Sequence, residues 1–286
     1  MNRNRRFCAF ILTAGRPSKV LTYSLLRRRG YTGAIRLIVG DDDEKKHEYI
    51  SRYGDEVVVF RKHDISPIFD IGDNFRDLNT VVYARNATFC IAKEHGFTHF
   101  IQLDDDYSGF EYRFDSTLDY DPLRLKNLDA VFSALLDFCD ASGVDSLAIA
   151  QGGDFIGGGN GSNALKIRLL RKCMNSFICS TARPFSFVGR MNDDVNTYVS
   201  LGSVGKLFVT TTQISLVQKQ TQTNSGGLTE MYAKHGTYVK SFYTLLWQPS
   251  SVIIKMLNSK NRRLHHQVNW SKTVPKIVRE YVRVTA

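Results

Sequence analysis

Short runs rich in β-branched and aromatic residues alternate with amphipathic segments through the first half of the 286-residue chain, and this alternation restricts the fold more than any other feature. Strand-period runs separated by helix-period segments bury two kinds of face, and a parallel sheet with helices packed over it satisfies both. The runs predict strands over Phe7–Leu12, Ala34–Val39, Glu56–Phe60, Thr98–Leu103 and Ser146–Ala150. Helices are expected over Lys19–Arg29, Glu44–Arg52, Thr80–Glu94 and Lys126–Ala141, with Gly30, Gly54, Gly96 and Gly143 standing where C-terminal caps belong. The fold class that follows is α/β, an open sheet with crossover helices. In such sheets ligands gather at the carboxyl ends of the strands. Thr13-Ala14-Gly15-Arg16 follows the first strand, Asp41-Asp42-Asp43 the second and Asp104-Asp105-Asp106 the fourth, so all three should share one rim.

The pattern breaks at the glycine-rich stretch Gly152–Gly161, either a linker or a loop whose backbone approaches a ligand closely. It divides the chain into halves at 1–151 and 152–286, taken together as one continuous domain. Beyond it the sequence predicts strands over Leu165–Leu170, Ser176–Ser180 and Leu207–Val217, then a helix from about Leu228. Charge divides at nearly the same place. Residues 1–154 carry 20 Lys/Arg against 24 Asp/Glu, net −4, whereas residues 155–286 carry 18 against 4, net +14. A positive face of that size concentrates phosphates and makes their binding salt-dependent, although a soluble basic surface has the same composition. No apolar run approaches the roughly 20 residues that span a bilayer. The run Phe7–Leu12 is too short for a secretory signal and lacks a cleavage site, so no membrane partner and a cytoplasmic location are expected. The five cysteines form no CxxC pair and read as reduced packing residues.

Phe100-Ile-Gln-Leu-Asp-Asp-Asp106 carries the strongest chemical signal. Side chains alternate along a strand, so Asp104 and Asp106 can share a side while Asp105 points away. Two convergent carboxylates suit Mg²⁺ or Mn²⁺ and leave positions open for phosphate oxygens; a solvated acidic turn is the alternative. Asp41–Asp43 suits either the acidic start of a helix or contact with the base or ribose of a nucleotide. In Asn192-Asp193-Asp194, Asn192 has the chemistry of an N-cap and the acids suit a first helical turn. Functionally, one of these acids beside an alcohol would take its proton as a new bond forms. In Arg262-Arg263-Leu264-His265-His266 an imidazole could complete a metal site and the arginines could meet phosphate, but neighbouring histidines on a strand do not both face one point. The polar run Gln218–Gly227 offers hydrogen-bonding groups, and Gly236–Tyr243 interleaves aromatics with Lys240 in a manner suited to stacking and phosphate contact or to a core.

With these segments in view, the chain resembles the TET-associated glycosyltransferases, bacteriophage enzymes that decorate 5-hydroxymethylcytosine in DNA. The resemblance rests on Leu12–Arg16, Ala84-Arg85-Asn86, Gln102–Asp106, Val188–Tyr198, Thr221–Gly227, Gly236–Tyr243 and Arg262–His266. It implies a GT-A fold, a UDP-sugar donor, Mn²⁺ or Mg²⁺ as cofactor and hydroxymethylated DNA as partner. Residues 1–151 would then bind the nucleotide sugar, with 152–286 forming a basic acceptor-side and catalytic region. Asp104 and Asp106 would be the metal ligands, joined by His265 or His266. Thr13, Gly15, Arg16, Asp41, Arg85, Asn86, Asp104, Asp105, Gly226 and Gly227 would lie around the nucleotide sugar, and Lys240, Arg262 and Arg263 would meet DNA. Asp194 would be the catalytic base with Asp193 beside it, at a position where many relatives have Glu. A target base in duplex DNA must leave the stack, and Tyr238, Tyr243 and Trp247 are candidates to receive it. Three other readings fit the same motifs: a glycosyltransferase with a protein, lipid or polysaccharide acceptor, a catalytically silent DNA-binding module, and a metal-dependent nuclease.

Overall fold

The computed structural model describes residues 5–151, 160, 167–168, 173, 175–218, 236, 238–257 and 263–275. Strand β1 (Phe7–Leu12) leads through helix α1 (Leu21–Arg28) to β2 (Ala34–Gly40), and α2 (Lys46–Tyr53) leads on to β3 (Val57–Phe60). The short α3 (Lys62–Ile65) and the long α4 (Val82–Glu94) precede β4 (His99–Asp104). β1 lies between β2 and β4, parallel to both, with Leu12 level with Ile38 on one side and Asp104 on the other. That register brings the three polar strand ends to one rim. Gly30, Gly54, Gly96 and Gly143 all have positive φ, as helix-terminating positions require.

The sheet is larger than the sequence predicts. Among the described residues it has ten strands in the order β3-β2-β1-β4-β9-β7-β10-β5-β6, with β8 paired to β10. β5 (Tyr107–Phe114) and β6 (Tyr120–Arg124) form an antiparallel hairpin directly after the three aspartates, and its mixture of exposed polar and aromatic residues hides a strand period. After α5 (Leu128–Ser142) come β7 (Ser146–Gln151), β8 (Ile167–Arg168) and β9 (Phe177–Ser180). β9 runs antiparallel between β4 and β7, so the sheet is mixed. Helix α6 (Asp193–Ser203) then precedes β10 (Phe208–Gln218), which joins β7 in parallel and β5 in antiparallel pairing. Residues from both sides of position 151 thus contribute to one sheet.

Strand alternation divides the core into two layers. Ala9 and Ile11 of β1 pack with α1, α2 and α5 through Leu25, Leu26, Tyr49, Leu128, Phe132 and Leu136, whereas Cys8, Phe10 and Leu12 face α4 and α6. Full burial of each such large side chain contributes about 1.5–3 kcal/mol. All five cysteines are free thiols; four are buried as expected, but Cys90 is exposed on α4. The basic C-terminal stretch holds α7 (Val239–Trp247) and a separate hairpin of β11 (Val252–Leu257) and β12 (Arg263–Val268). α7 was not foreseen, because its aromatics were weighed as a stacking motif. The helix expected from about Leu228 and most of Gly152–Gly161 lie outside the described residues. No helix of the described residues is long and apolar enough to cross a membrane.

Candidate active site

Two acidic segments meet around one buried arginine. The first is the end of β4. Asp105, fully buried, turns toward the loop after β1, where Arg16 grips it with Nε at 2.8 Å and Nη2 at 2.6 Å and Thr13 Oγ1 donates at 2.6 Å. The Tyr49 hydroxyl lies 2.8 Å from Thr13 Oγ1 and accepts from the Arg16 backbone N–H at 3.0 Å. Thr22 fastens the same junction from α1, donating to the Asp104 carbonyl at 2.6 Å and accepting from the Tyr107 N–H at 3.0 Å. Burial raises the Asp105 carboxyl, and the Arg16 and Thr13 bonds oppose that shift without cancelling it. Thr13, Arg16 and Asp105 therefore form a fixed floor to the rim.

Asp104 and Asp106 turn elsewhere. Asp104, 22% exposed, has Oδ1 at 3.6 Å from Arg85 Nη2, and Asp106 Oδ1 accepts from Gln218 Nε2 at 3.1 Å. Burial drives the Asp104 carboxyl up to about 7; Arg85 pulls it down, and the neighbouring Asp106, Asp105 and Asp193 push it up again. Carboxylate oxygens are the donors a hard divalent cation prefers. Among the described residues, no group of three His, Cys, Asp or Glu side chains is close enough to hold a metal. His265 and His266 have ring centroids 4.4 Å apart, and His266, 8% exposed, has Nδ1 at 3.4 Å from Asn192 Nδ2.

Arg85 on α4 is 2% exposed and joins the two acidic segments. Its Nε lies 2.6 Å from Asp193 Oδ2, its Nη1 donates to Gln102 Oε1 at 3.3 Å, and its guanidinium lies 5.2 Å from the Phe177 ring centre and 5.6 Å from that of Phe187. A guanidinium so enclosed orients carboxylates rather than reaching a ligand. Asn86 is likewise occupied: its amide accepts from the Phe187 N–H at 2.8 Å and donates to the Phe187 carbonyl at 3.0 Å. Burial raises the Asp193 carboxyl, Arg85 opposes it, and the adjacent Asp194 charge reinforces it. Asp194, 8% exposed, accepts from the Val195 N–H at 2.8 Å.

Several expectations need correction. Asn192 precedes α6 without capping it by its side chain: its backbone is left-handed (φ 55°, ψ 33°), and its side-chain amide donates to the Lys240 carbonyl at 2.9 Å and Thr244 Oγ1 at 3.2 Å on α7. Asp41–Asp43 does not start a helix, since α2 begins at Lys46. Asp41 instead accepts from the Lys62 N–H at 3.1 Å, Asp42 pairs with Lys62 Nζ at 2.8 Å, and Asp43 accepts from the backbone of Lys45 and Gly15, each at 2.8 Å. Tyr243 is 6% exposed and donates its hydroxyl to Asp73, so it offers no stacking face, and Trp247 lies against Gly189. Tyr238, 49% exposed just before α7, and Phe242, 44% exposed on it, are open aromatics with ring centres 6.5 Å apart. Arg263 begins β12, while Arg262, Gly226 and Gly227 lie outside the described residues.

The sequence reading missed a cluster ahead of α6. Arg190, 1% exposed, forks onto Asp73 with Nε at 2.6 Å and Nη2 at 2.9 Å, and its Nη1 donates to the Asp77 carbonyl. Burial acts to raise the Asp73 carboxyl, but the Arg190 and Tyr243 bonds hold it below the usual range. Lone aspartates in an irregular segment give no periodic signal by which this partnership could have been found.

A sequence model of the family described as TET-Associated Glycosyltransferase matches residues 7–227. No curated protein sequence matches the chain significantly. Among solved structures, the chain is similar to TarS of S. aureus at 13% identity, with a TM-score of 0.44, over 74% of this chain and 36% of that one. It thus spans little more than a third of TarS. It is also similar to glucosyl-3-phosphoglycerate synthase from Mycobacterium tuberculosis solved with Mg²⁺ and UDP, at 10% identity and TM-score 0.44 over 92% and 88% of the two chains. The same synthase solved with Mn²⁺ and UDP-glucose matches at 8% identity and TM-score 0.45, over 92% and 87%.

Proposed function

The chain belongs to the TET-associated glycosyltransferase family, and on that premise we propose that it moves a sugar from a UDP-sugar to the hydroxymethyl oxygen of 5-hydroxymethylcytosine in DNA. The observation that carries this reading is the meeting of the Asp104–Asp106 and Asp193–Asp194 carboxylates around Arg85 at one end of the sheet. Asp104 and Asp106 are the residues that would hold Mg²⁺ or Mn²⁺, and when bound the ion offsets charge on a leaving diphosphate. The remaining coordination would fall to phosphate oxygens and water, because among the described residues neither His265 nor His266 completes a group of three with these carboxylates.

This chain's residues divide the work. Arg16, Thr13 and Asp105 brace the rim against which the nucleotide sits, with Gly15 and Asp41 at its edge. Asp193 is tied to Arg85, so accepting the proton falls to Asp194. As the acceptor oxygen bonds to the anomeric carbon, the bond from that carbon to the β-phosphate oxygen breaks, the electron pair leaves with UDP, and the acceptor proton passes to Asp194. Such base assistance contributes about 10²–10⁴-fold. The DNA acceptor agrees with the net +14 of residues 155–286 and with the aromatics Tyr238 and Phe242 exposed at the start of α7.

Intact-mass analysis of a hydroxymethylated oligonucleotide, incubated with the protein, Mn²⁺ and a panel of UDP-sugars, tests the reading. The expected result is a gain of one sugar residue on hydroxymethylated DNA alone. No gain with any donor, or an equal gain on unmodified DNA, contradicts it.

A further inference from the structure

The two acidic segments of the site are held in different ways, and the second depends on a cluster remote in sequence. Asn192 adopts a left-handed backbone immediately before Asp193, a conformation that asparagine tolerates better than most non-glycine residues and that its surroundings fix here. The enforcement comes from three directions. The Gly189 and Arg190 backbone N–H groups donate to the carbonyls of Asp70 and Ile71, both at 2.9 Å, and Thr80 Oγ1 donates to the Arg190 carbonyl at 2.8 Å. The Arg190 guanidinium lies 5.8 Å from the Phe75 ring centre and forks onto Asp73. α7 closes the third side, with the Tyr243 hydroxyl donating to Asp73 and the Lys240 carbonyl and Thr244 hydroxyl receiving the Asn192 amide.

A buried arginine–carboxylate pair contributes little net stability compared with apolar residues of the same volume, because taking both charges out of water offsets their attraction. What a planar fork supplies is direction, since two parallel N–H donors fix the carboxylate plane and the backbone that bears the arginine. Here that backbone is two residues from Asn192 and three from Asp193.

We propose that the Asp73–Arg190–Tyr243 clasp is a positioning device for the reaction, which locks residues 70–80 and α7 onto the turn at Gly189–Asn192 and so holds Asp193 on Arg85 and aims Asp194 at the acceptor. This inference rests on the reading of Asp193 and Asp194 as the acceptor-side carboxylates. Tyr243, Asp73 and Arg190 touch neither donor nor acceptor in this account; they act through the turn.

The test is steady-state transfer by Tyr243→Phe, which removes one hydroxyl and keeps the ring, measured well below the unfolding midpoint and normalised to folded protein. The expected result is a fall in kcat of about tenfold to a hundredfold, with the donor KM within twofold of wild type and the unfolding midpoint little changed. Arg190→Lys, which keeps the charge but loses the fork, is expected to lower kcat similarly. Adding Tyr243→Phe to Asp73→Asn should cost less than the product of the single effects, as members of one unit do. A kcat within twofold of wild type in Tyr243→Phe overturns the proposal, as does a loss that disappears on normalising to folded protein. Asp194→Asn separates the two levels of the argument. If it still transfers sugar, the reading of the carboxylates falls; if it is inactive while Tyr243→Phe is fully active, only the clasp falls.

Discussion

The end of β4 and the start of α6 both present paired carboxylates to one site, yet they are built by opposite means. At β4 the acids are contiguous with a buried strand, and β1 on one side fixes their height to within the sheet register. At α6 the acids follow a left-handed residue whose position is imposed by a loop more than a hundred residues earlier and a helix about fifty residues later. Sheet pairing supplies rigidity locally, whereas the second segment borrows it from long-range polar contacts. Arg85 joins the two and is the element neither can lose.

The sharpest way to break the comparison is Asp194→Asn. It should reduce transfer by about 10²–10⁴-fold, read by oligonucleotide mass under single-turnover conditions, with circular dichroism unchanged. Next comes Arg85→Ala, which leaves Asp104 and Asp193 facing each other with their shared cation removed. A loss of about 3–5 kcal/mol in denaturant unfolding is expected, and a loss under 1 kcal/mol would mean that the two segments do not depend on it. Two glycines compare the regions directly. At Gly189 (φ 85°) a methyl group would overlap the Asn196 amide nitrogen and lie 2.9 Å from Trp247 Nε1, so Gly189→Ala should cost at least about 2 kcal/mol and lower transfer. Gly15 in the β1 loop has φ 72° but nothing within 4 Å of the new methyl, so Gly15→Ala should cost only about 1 kcal/mol.

The smallest effect lies at the opposite end of β4. His99 is buried with Nε2 at 3.0 Å from Asp140 Oδ1; burial lowers its imidazole, Asp140 opposes this, and the nearby Arg5 and Arg183 charges lower it further. The folded state therefore favours the neutral ring. Its contribution is complete above the unfolded value of about 6.5 and is lost as pH falls through the folded value. Denaturant midpoints between pH 5 and 7.5 should slope less in His99→Gln than in wild type, while transfer at neutral pH is unchanged.

The β4 side of this comparison was legible in the sequence, and the α6 side only in part. Phe7–Leu12 was bounded correctly because an apolar run ending in polar residues has one sheet interpretation, and Asp104–Asp106 was placed at the rim by the same rule. β5 and β6 were not foreseen, because β6 is a largely exposed edge strand and β5 beside it is only partly buried, so neither shows a strict apolar period. Asn192 shows the limit most clearly. Composition alone favours an asparagine as a cap before two acids, but its amide found better partners on α7, which no local pattern reveals. Arg85 and Asn86 were singled out by resemblance as groups near the nucleotide, and their burial directs them inward to Asp104, Asp193 and Phe187.

The central claim is that the β4 carboxylates serve the donor and its cation while the α6 carboxylates serve the acceptor. Calorimetric titration of UDP with Mn²⁺ into the wild-type protein, Asp104→Asn and Asp194→Asn separates these roles. The account predicts Mn²⁺-dependent binding that is lost in Asp104→Asn and kept in Asp194→Asn; undiminished binding by Asp104→Asn contradicts it.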